Sequence, residues 1–214
     1  MTVAVMNVKV AWHSGRWFEL GCGAMTAEML EIRASGDPVA TTLRTPGHDR
    51  ELALGLLLAK GIIESARDVA TVSHCGRVGD AGRRNTIDVR AAPGLAFDLE
   101  RAELPSERNV LVTRSEIAAR VPALRESCAR ARSAGLHAAA ILDTNGAMLA
   151  IHDDVGALNS VDKAIGAWLL QAELDAPSTT PAVLVVSGHV TAEIVQRAAR
   201  ARIDIVCSEL DLDR

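Results

Sequence analysis

Apolar and polar positions near the start of the chain predict a hairpin followed by a helix. Between residues 29 and 45, apolar side chains alternate with polar ones on either side of the turn-forming residues 35–38. Residues 48–59 are instead apolar on almost every side of a helical projection. Such a segment predicts a helix that is buried on all faces, and Gly61 is suited to end it.

The middle third of the chain has a weaker pattern. Short runs of β-forming residues predict strands at 69–74 and 85–90. Apolar residues at helical spacing predict a helix over 113–133, and Pro122 within it predicts a kink or a break.

Short strands and helices alternate in the last third. Strands are predicted at 137–142, 148–152, 182–186 and 203–207, and helices at 159–173 and 191–202. Asn145-Gly146 between the first two strands favours a hairpin with a type I′ turn. The final strand–helix–strand unit predicts a parallel strand pair with a right-handed crossover. The predicted fold class is therefore α/β, with a mixed sheet and flanking helices.

Length and composition fit a globular protein with a core of its own. The chain has 214 residues, of which 49% are apolar and 23% charged. We expect an N-terminal β-rich part with one buried helix over residues 1–105 and an α/β core over 106–214. These are two domains or one continuous domain.

Charge and aromatic content argue against two classes of function. Lys and Arg number 23 against 27 Asp and Glu, a net charge of −4, so the basic excess that nucleic-acid binding needs is missing. The three Trp and two Phe are too few for a base-stacking surface. No apolar run approaches the roughly 20 residues that span a bilayer, and the N-terminus does not resemble a secretion signal. We therefore expect a cytoplasmic protein without nucleic-acid or membrane partners.

Three stretches combine glycine with polar residues at predicted strand ends, where α/β proteins bind ligands. They are residues 133–137, 152–163 and 187–191. Gly156 and Gly188 would let backbone N–H groups approach a phosphate at a helix N-terminus. Ordinary helix capping and surface ion pairing are the alternative explanation.

Single polar residues in these stretches also allow two interpretations. Asn159, Asp162 and Lys163 share one helix face, which suits ligand binding or an ion-pair network. His137 is a candidate catalytic residue, although a single histidine beside an Ala-rich strand is more often a hydrogen-bonded core residue.

Metal and thiol chemistry have little support in the pattern. The candidate metal ligands are His152-Asp153-Asp154 and the pair His189 and Glu193, but the H-x-E and P-C-x-x-C of zinc deaminases are missing, so no protein-bound metal is expected. No two of the four cysteines form C-x-x-C, which predicts reduced and mostly buried thiols. These are Cys22, Cys75, Cys128 and Cys207.

Four motifs occur along the chain in the order in which one known family has them. The family's patterns are TPxD…ELAxGFLxxEGII, GGxHxAA, EDVGRHNAxDKxxG and SGRxSxExV. The corresponding residues are 45–48 with 51–57 and 61–63, then 135–139, 153–166 and 187–195. On these motifs the chain resembles the formate dehydrogenase accessory sulfurtransferases, the FdhD family.

The resemblance implies a cytidine-deaminase-like mixed sheet with flanking helices and a small N-terminal β-rich lobe. It implies a cytoplasmic homodimer that helps to mature the catalytic subunit of molybdenum- or tungsten-dependent formate dehydrogenase. Members of the family take sulfur as persulfide from a cysteine desulfurase and pass it to the metal of the bis-guanylyl molybdopterin cofactor. The residues then expected to bind molybdopterin guanine dinucleotide or a guanine nucleotide are His137, Asp154, Gly156, Asn159, Asp162, Lys163, Ser187 and Gly188.

The chain departs from the family at the residues that carry sulfur. Residues 107–116 contain no cysteine where the family has C-G-x-C-G, so no catalytic residue is assigned, and Cys75 is a candidate substitute. Ala157-Leu158 and His189 replace an Arg-His pair and an arginine, which removes phosphate donors, so guanine-nucleotide binding is expected to be lost or weak. Typical members also continue beyond the position of Arg214.

Two functions follow from these matches and departures. The first is a formate dehydrogenase accessory protein that resembles the sulfurtransferases acting on the molybdenum cofactor. The second is a catalytically inactive relative that serves as a structural or binding subunit of a molybdenum or tungsten formate dehydrogenase complex.

Overall fold

The structure is a computed structural model that describes most of the chain. It describes residues 2–5, 9–13, 16–20, 25–78, 84–99, 124, 126, 128–131, 134–174 and 180–209. Most of the helix predicted over 113–133 lies outside these residues, although 128–131 are helical. Residues 107–116 and Cys22 lie outside them as well.

The described part of the chain begins with five strands before its first helix, and strands and helices alternate toward its end. In chain order these are β1 (Thr2–Val5), β2 (Lys9–His13), β3 (Arg16–Leu20), β4 (Met25–Ala34), β5 (Asp37–Arg44), α1 (Asp49–Ala59), a 3₁₀ turn (Ala66–Asp68), β6 (Val69–Val78), β7 (Arg84–Ala91), β8 (His137–Asp143), β9 (Met148–Asp154), α2 (Ala157–Leu174), β10 (Pro181–Val186), α3 (Ala192–Arg200) and β11 (Ile205–Ser208).

The first sheet is mixed and has five strands. Its strand order is β1-β4-β7-β6, and β5 pairs with β4 outside this order. Strands β2 and β3 form a separate two-stranded sheet. The β4–β5 pair is antiparallel, which confirms the predicted hairpin, and so is the β6–β7 pair. Strands β4 and β7 are parallel, with Ile32 opposite Ile87. Both isoleucines are fully buried, so this face of the sheet belongs to the core.

The second sheet is also mixed, with the order β11-β10-β8-β9. Strands β10 and β11 are parallel and are joined through α3, which confirms the predicted strand–helix–strand unit. The other two pairs are antiparallel. The predicted α/β class is therefore correct, and the described strands form two mixed sheets besides the two-stranded sheet of β2 and β3.

The hairpin between β8 and β9 has a different turn from the predicted one. A type I′ turn needs positive φ at both central residues, but only Gly146 has it, with φ 75°. The Gly146 N–H donates to the Asp143 carbonyl over 3.0 Å. Asp143 Oδ1 accepts from the N–H groups of Asn145 and Ala147, at 2.9 and 2.7 Å. The Asp143 carboxylate therefore organises the turn, and Asn145 has no need of a left-handed conformation.

Helices α1 and α2 cross at unusually close range. A Cβ on Gly55 of α1 would lie 1.9 Å from the Asp162 carbonyl oxygen, and one on Gly166 of α2 would lie 1.9 Å from that of Glu51. Glycine at both positions is what lets the two backbones approach. Residues 52–58 are all buried, which confirms the predicted buried helix, and Gly61 follows its end with φ 72°.

One apolar cluster connects both sheets through these helices. It includes Ile32 of the first sheet, Leu57 of α1, Ile165 of α2 and Ile141 of the second sheet, all fully buried. The crossing of α1 and α2 therefore fixes the first sheet relative to the strand ends of the second.

Candidate functional site

A cavity of about 230 Å³ lies where β8 begins and β10 ends, beside the first turns of α2 and α3. Its polar lining consists of hydroxyls, imidazoles and a glycine backbone. These residues are His137, Ser160, Ser187, Gly188, His189 and Thr191. Residues that are far apart in the sequence thus meet at one edge of the second sheet.

Ser187 holds the entrance of this cavity in place. The Ala138 N–H donates to Ser187 Oγ over 2.8 Å, and the Ser187 N–H donates to the Ala138 carbonyl over 2.9 Å. This reciprocal pair fixes the first residue of β8, His137, close to Gly188, whose Cβ would lie 3.7 Å from His137 Nδ1. His137 is exposed, so the interpretation of it as a core histidine is wrong.

Two helix N-termini also face the cavity. Ala157 is the first residue of α2, and Thr191 is the N-cap of α3. The Thr191 side chain makes no capping hydrogen bond to its helix, and the N–H groups of a first helical turn lack intrahelical partners. Some donors here are already used: Ser160 Oγ donates to the Ala157 carbonyl over 2.8 Å, and the Glu193 carboxylate accepts from the Thr191 side chain and from its own backbone N–H. The remaining N–H groups of the two first turns offer partial positive charge, which suits a polar or anionic group. Among the described residues that line it, none is Arg or Lys.

Asp154, at the end of β9, is a fully buried carboxylate beside this region. Its Oδ2 lies 2.7 Å from Lys163 Nζ and accepts from the Thr45 N–H over 3.1 Å. Lys163 is equally buried and donates to the Thr45 carbonyl over 2.9 Å. The ion pair thus joins β9 and α2 to the chain that follows β5.

Asn159 makes the neighbouring connection. Its Nδ2 donates to Asp154 Oδ1 over 3.0 Å and to the Leu43 carbonyl over 2.8 Å. Its Oδ1 accepts from Thr42 Oγ1 over 3.0 Å. All hydrogen-bonding groups of this buried amide are thereby directed at protein, so Asn159 positions β5 on α2.

Gly156 does not present its N–H to a ligand. That N–H donates to Asp154 Oδ1 over 2.9 Å. The Gly156 N–H itself is therefore not free for a phosphate, and cofactor binding at Gly156 stays a prediction.

Asp162 points in another direction, toward α3. Its Oδ1 accepts from Arg197 Nε over 2.8 Å, and its Oδ2 is buried with no hydrogen-bond partner. Burial raises the pKa of the Asp162 carboxyl to about 6, and Arg197 opposes that shift. The shared helix face of Asn159, Asp162 and Lys163 thus meets three different elements. Of the eight residues expected to bind a cofactor, three line the cavity: His137, Ser187 and Gly188.

The sequence matches the profile of the FdhD/NarQ family over residues 25–210. The chain belongs to the FdhD/NarQ family. Relatives named sulfur carrier protein FdhD are similar to it: that of Anaeromyxobacter dehalogenans strain 2CP-C is 41% identical, with 85% of this chain and 74% of that protein covered. Those of Mycobacterium tuberculosis and Streptomyces coelicolor are 36% and 32% identical, over 85% of this chain and 76% and 74% of those proteins.

A solved structure supports the fold. The crystal structure of a proposed formate dehydrogenase accessory protein from Desulfotalea psychrophila matches with a TM-score of 0.71 at 20% identity. The match covers 96% of this chain and 83% of that one. The α/β arrangement with two mixed sheets is thus one that a solved protein has, while the cytidine-deaminase-like description stays a prediction.

The described cysteines of this FdhD/NarQ family member differ in exposure. Cys128 is buried, in line with the prediction that most of the thiols are buried. Cys207 is half-buried, and burial raises the pKa of its thiol. Cys75, on β6, is half-buried. A sulfur carrier needs an accessible thiol with a low pKa, and neither Cys128 nor Cys207 provides one.

Sequence reasoning missed one buried charge cluster. Arg44, fully buried at the end of β5, donates through Nε and Nη2 to the two carboxylate oxygens of Asp49, at 2.7 and 2.9 Å, and through Nη1 to Glu28 at 3.1 Å. His74 Nε2 lies 3.5 Å from Asp49 Oδ2. The only sequence signal for this cluster is that Arg44 lies shortly before the buried helix α1 and Asp49 begins it.

No helix in the described part of the chain is both long and apolar enough to cross a membrane.

Proposed function

We propose that this chain is a formate dehydrogenase accessory protein that holds the phosphate-bearing end of the bis-guanylyl molybdopterin cofactor in the cavity beside His137. One observation carries the proposal: two helix N-termini, two serines and two histidines converge at a strand-end cavity in a chain whose relatives are named sulfur carrier protein FdhD. Strand ends of α/β sheets and helix N-termini are where phosphate groups bind in other proteins.

The size and charge of the cavity limit what it can hold. Its volume of about 230 Å³ is below the roughly 300–1,000 Å³ of pockets that enclose a whole drug-sized ligand. A phosphate or part of a nucleotide therefore fits, whereas a complete dinucleotide extends outside. Because hydroxyls and backbone N–H groups take the place of guanidinium forks, binding should be weak.

Sulfur carriage is the less supported part of the family's role. Burial of Cys128 and the raised pKa of Cys207 disfavour a thiolate at either position. This observation favours the second candidate function, a catalytically inactive relative that binds the cofactor or the enzyme as a subunit. Under either function the proposed partner is the catalytic subunit of formate dehydrogenase in the cytoplasm. A cysteine desulfurase and a second copy of the chain are further proposed partners.

Calorimetry with GDP tests the cavity. We expect saturable binding to the full chain with a Kd of about 0.1–1 mM. Gly188→Val should abolish it, because the added side chain enters the cavity mouth, where nothing lies closer to a Cβ than His137. Ala147→Val, which adds the same side chain at an exposed hairpin position, is the matched control and should bind as the wild type does. The absence of binding by the wild type, or equal binding by both variants, contradicts the proposed site.

Copurification separates the two functions. A chain that stays with mature formate dehydrogenase in stoichiometric amount is a subunit, and one that associates only with the immature enzyme is an accessory factor. Detection by mass spectrometry of a persulfide on Cys75, after incubation with a cysteine desulfurase and cysteine, would show that an accessory factor of this kind still carries sulfur.

A further inference from the structure

Two histidines meet across the turn that joins β5 to α1. The rings of His48 and His152 lie edge to face with their centroids 4.4 Å apart. His48 belongs to the turn, whereas His152 belongs to β9 of the second sheet. The contact therefore connects two elements that are about one hundred residues apart in the sequence.

His48 adopts a backbone conformation that needs support. It precedes α1 with φ 56° and ψ 35°, in the left-handed region, and makes no side-chain capping bond. For a residue with a Cβ this conformation is uncommon and costs free energy, so it persists where surrounding contacts hold it. Gly47, with φ 101°, gives the turn no rigidity of its own.

We propose that the contact between His48 and His152 is an acid-sensitive latch, which fixes residues 45–48 on β9 while the rings are neutral and releases them when both are protonated. Two more contacts show what the latch would control. The Thr45 N–H donates to Asp154 over 3.1 Å, and the Val155 N–H donates to Thr45 Oγ1 over 3.0 Å. Release of the turn exposes these two N–H groups.

The charges around His152 favour its neutral form. Burial is the main cause that lowers the pKa of its imidazole, followed by the charge of His48, and Lys163 of α2 acts in the same direction. Glu51 of α1 and Asp153 of β9 oppose them. Glu51 Oε1 also lies 3.5 Å from His48 Nδ1.

The sign of the pH effect follows from these directions. Because the held form binds a proton on His152 less readily than a solvated imidazole does, the contact is fully stable above pH 6.5 and weakens as the pH falls below it. Repulsion in water between two unit charges 4.4 Å apart changes the equilibrium between the held and the released turn roughly fivefold. Acid release is thus expected to be partial and reversible.

Release would also alter a second cavity. His152 lines a space of about 270 Å³ together with Arg130, Leu136 and Asp153. Arg130 adds a further positive charge to this wall, although its guanidinium pairs with Glu126 at 2.9 Å. Protonation of His152 therefore changes both the turn and the charge of the cavity wall.

Two variants of His48 that differ only in charge provide the test. His48→Asn and His48→Asp have nearly the same shape, and both residues tolerate the left-handed conformation. His152, followed by NMR as the pH is lowered, should titrate at the lowest pH in the wild type, higher in His48→Asn and highest in His48→Asp. The same midpoint in all three proteins would overturn the proposal.

Hydrogen exchange reports the release itself. Between a pH of about 7.5 and about 5.5 the protection factors of the Thr45 and Val155 amides should fall roughly fivefold in the wild type. In His48→Asp they should not fall, since a carboxylate attracts the protonated ring. Protection of the Ile141 amide, in the core, should stay constant and so exclude global unfolding. Unchanged protection at Thr45 in the wild type, or an equal fall in His48→Asp, contradicts the latch.

Discussion

The region beside the cavity is held together by buried charged side chains. Asp154 and Lys163 are both almost fully buried, and each satisfies the other while also bonding Thr45. Removal of one partner from a buried ion pair leaves an uncompensated charge, which is more costly than the pair itself is stabilising. These residues therefore act through the fold that positions the cavity.

Asp154→Asn tests the buried ion pair. The substitution leaves the Lys163 ammonium buried without a counter-charge, and should lower the free energy of unfolding by about 3–5 kcal/mol. Urea denaturation measures the change. Asp153→Asn, at the exposed neighbouring position, is the control and should change stability by less than about 0.5 kcal/mol. Similar losses in both variants would show that Asp154 does not hold the pair.

Asp162 predicts a distinct dependence of stability on pH. Because its pKa is raised from 3.8 to about 6, its contribution is fully present below pH 3.8 and is lost as the pH rises through 6. The loss corresponds to about 3 kcal/mol. Asp162→Asn cannot ionise, so its stability relative to that of the wild type should rise over this range. A constant difference between the two proteins from about pH 4 to about pH 7 would contradict the raised pKa.

The directions of these side chains could not be predicted from the sequence. Periodicity correctly places Asn159, Asp162 and Lys163 on one face of α2, but their partners come from other parts of the fold. Asn159 and Lys163 bind residues 42–45, more than one hundred positions earlier, and Asp162 binds Arg197. Local patterns contain no information on such long-range contacts, so ligand binding and ion pairing were equally good interpretations.

At the scale of elements, the crossing of α1 and α2 determines how closely the two sheets approach. Gly55 and Gly166 each face a backbone carbonyl of the opposite helix at a distance that excludes a Cβ. The leucine-rich pattern predicted the burial of α1 correctly. The pattern could not predict the crossing, because a glycine within a helix indicates only a weak helix former. The close approach becomes evident only when the opposite helix is known.

Gly55→Ala and Gly166→Ala test the crossing. In an exposed helix alanine in place of glycine stabilises by about 1 kcal/mol. Here each added methyl group collides with a carbonyl oxygen, so each variant should lose about 1–3 kcal/mol or more in thermal or urea unfolding. Gln171→Ala at an exposed site of α2 is the control for helix propensity. Stabilisation by either glycine substitution would show that the helices do not approach this closely.

At the scale of the molecule, the core extends across the boundary placed near residue 105. Leu30 and Ile87 on one side share a cluster with Ile141 and Leu184 on the other. We propose that the N-terminal β-rich part and the α/β core form one continuous domain. The strand patterns predicted most of the strands, but not which of them pair between distant segments, such as the parallel β4 and β7.

One continuous domain should unfold in a single transition. Tryptophan fluorescence and far-UV circular dichroism, followed during urea denaturation, should give coincident curves with one midpoint. Separate midpoints for the two signals would instead indicate two independently stable domains.

Complementation tests the central claim most directly. In the source organism, deletion of this gene should abolish formate oxidation by formate dehydrogenase, and the wild-type gene should restore it. Ala147→Val should restore it equally, whereas Gly188→Val should fail while the protein accumulates to the same level. Formate oxidation that persists after the deletion, or is restored fully by Gly188→Val, would contradict an accessory role that depends on the cavity beside His137.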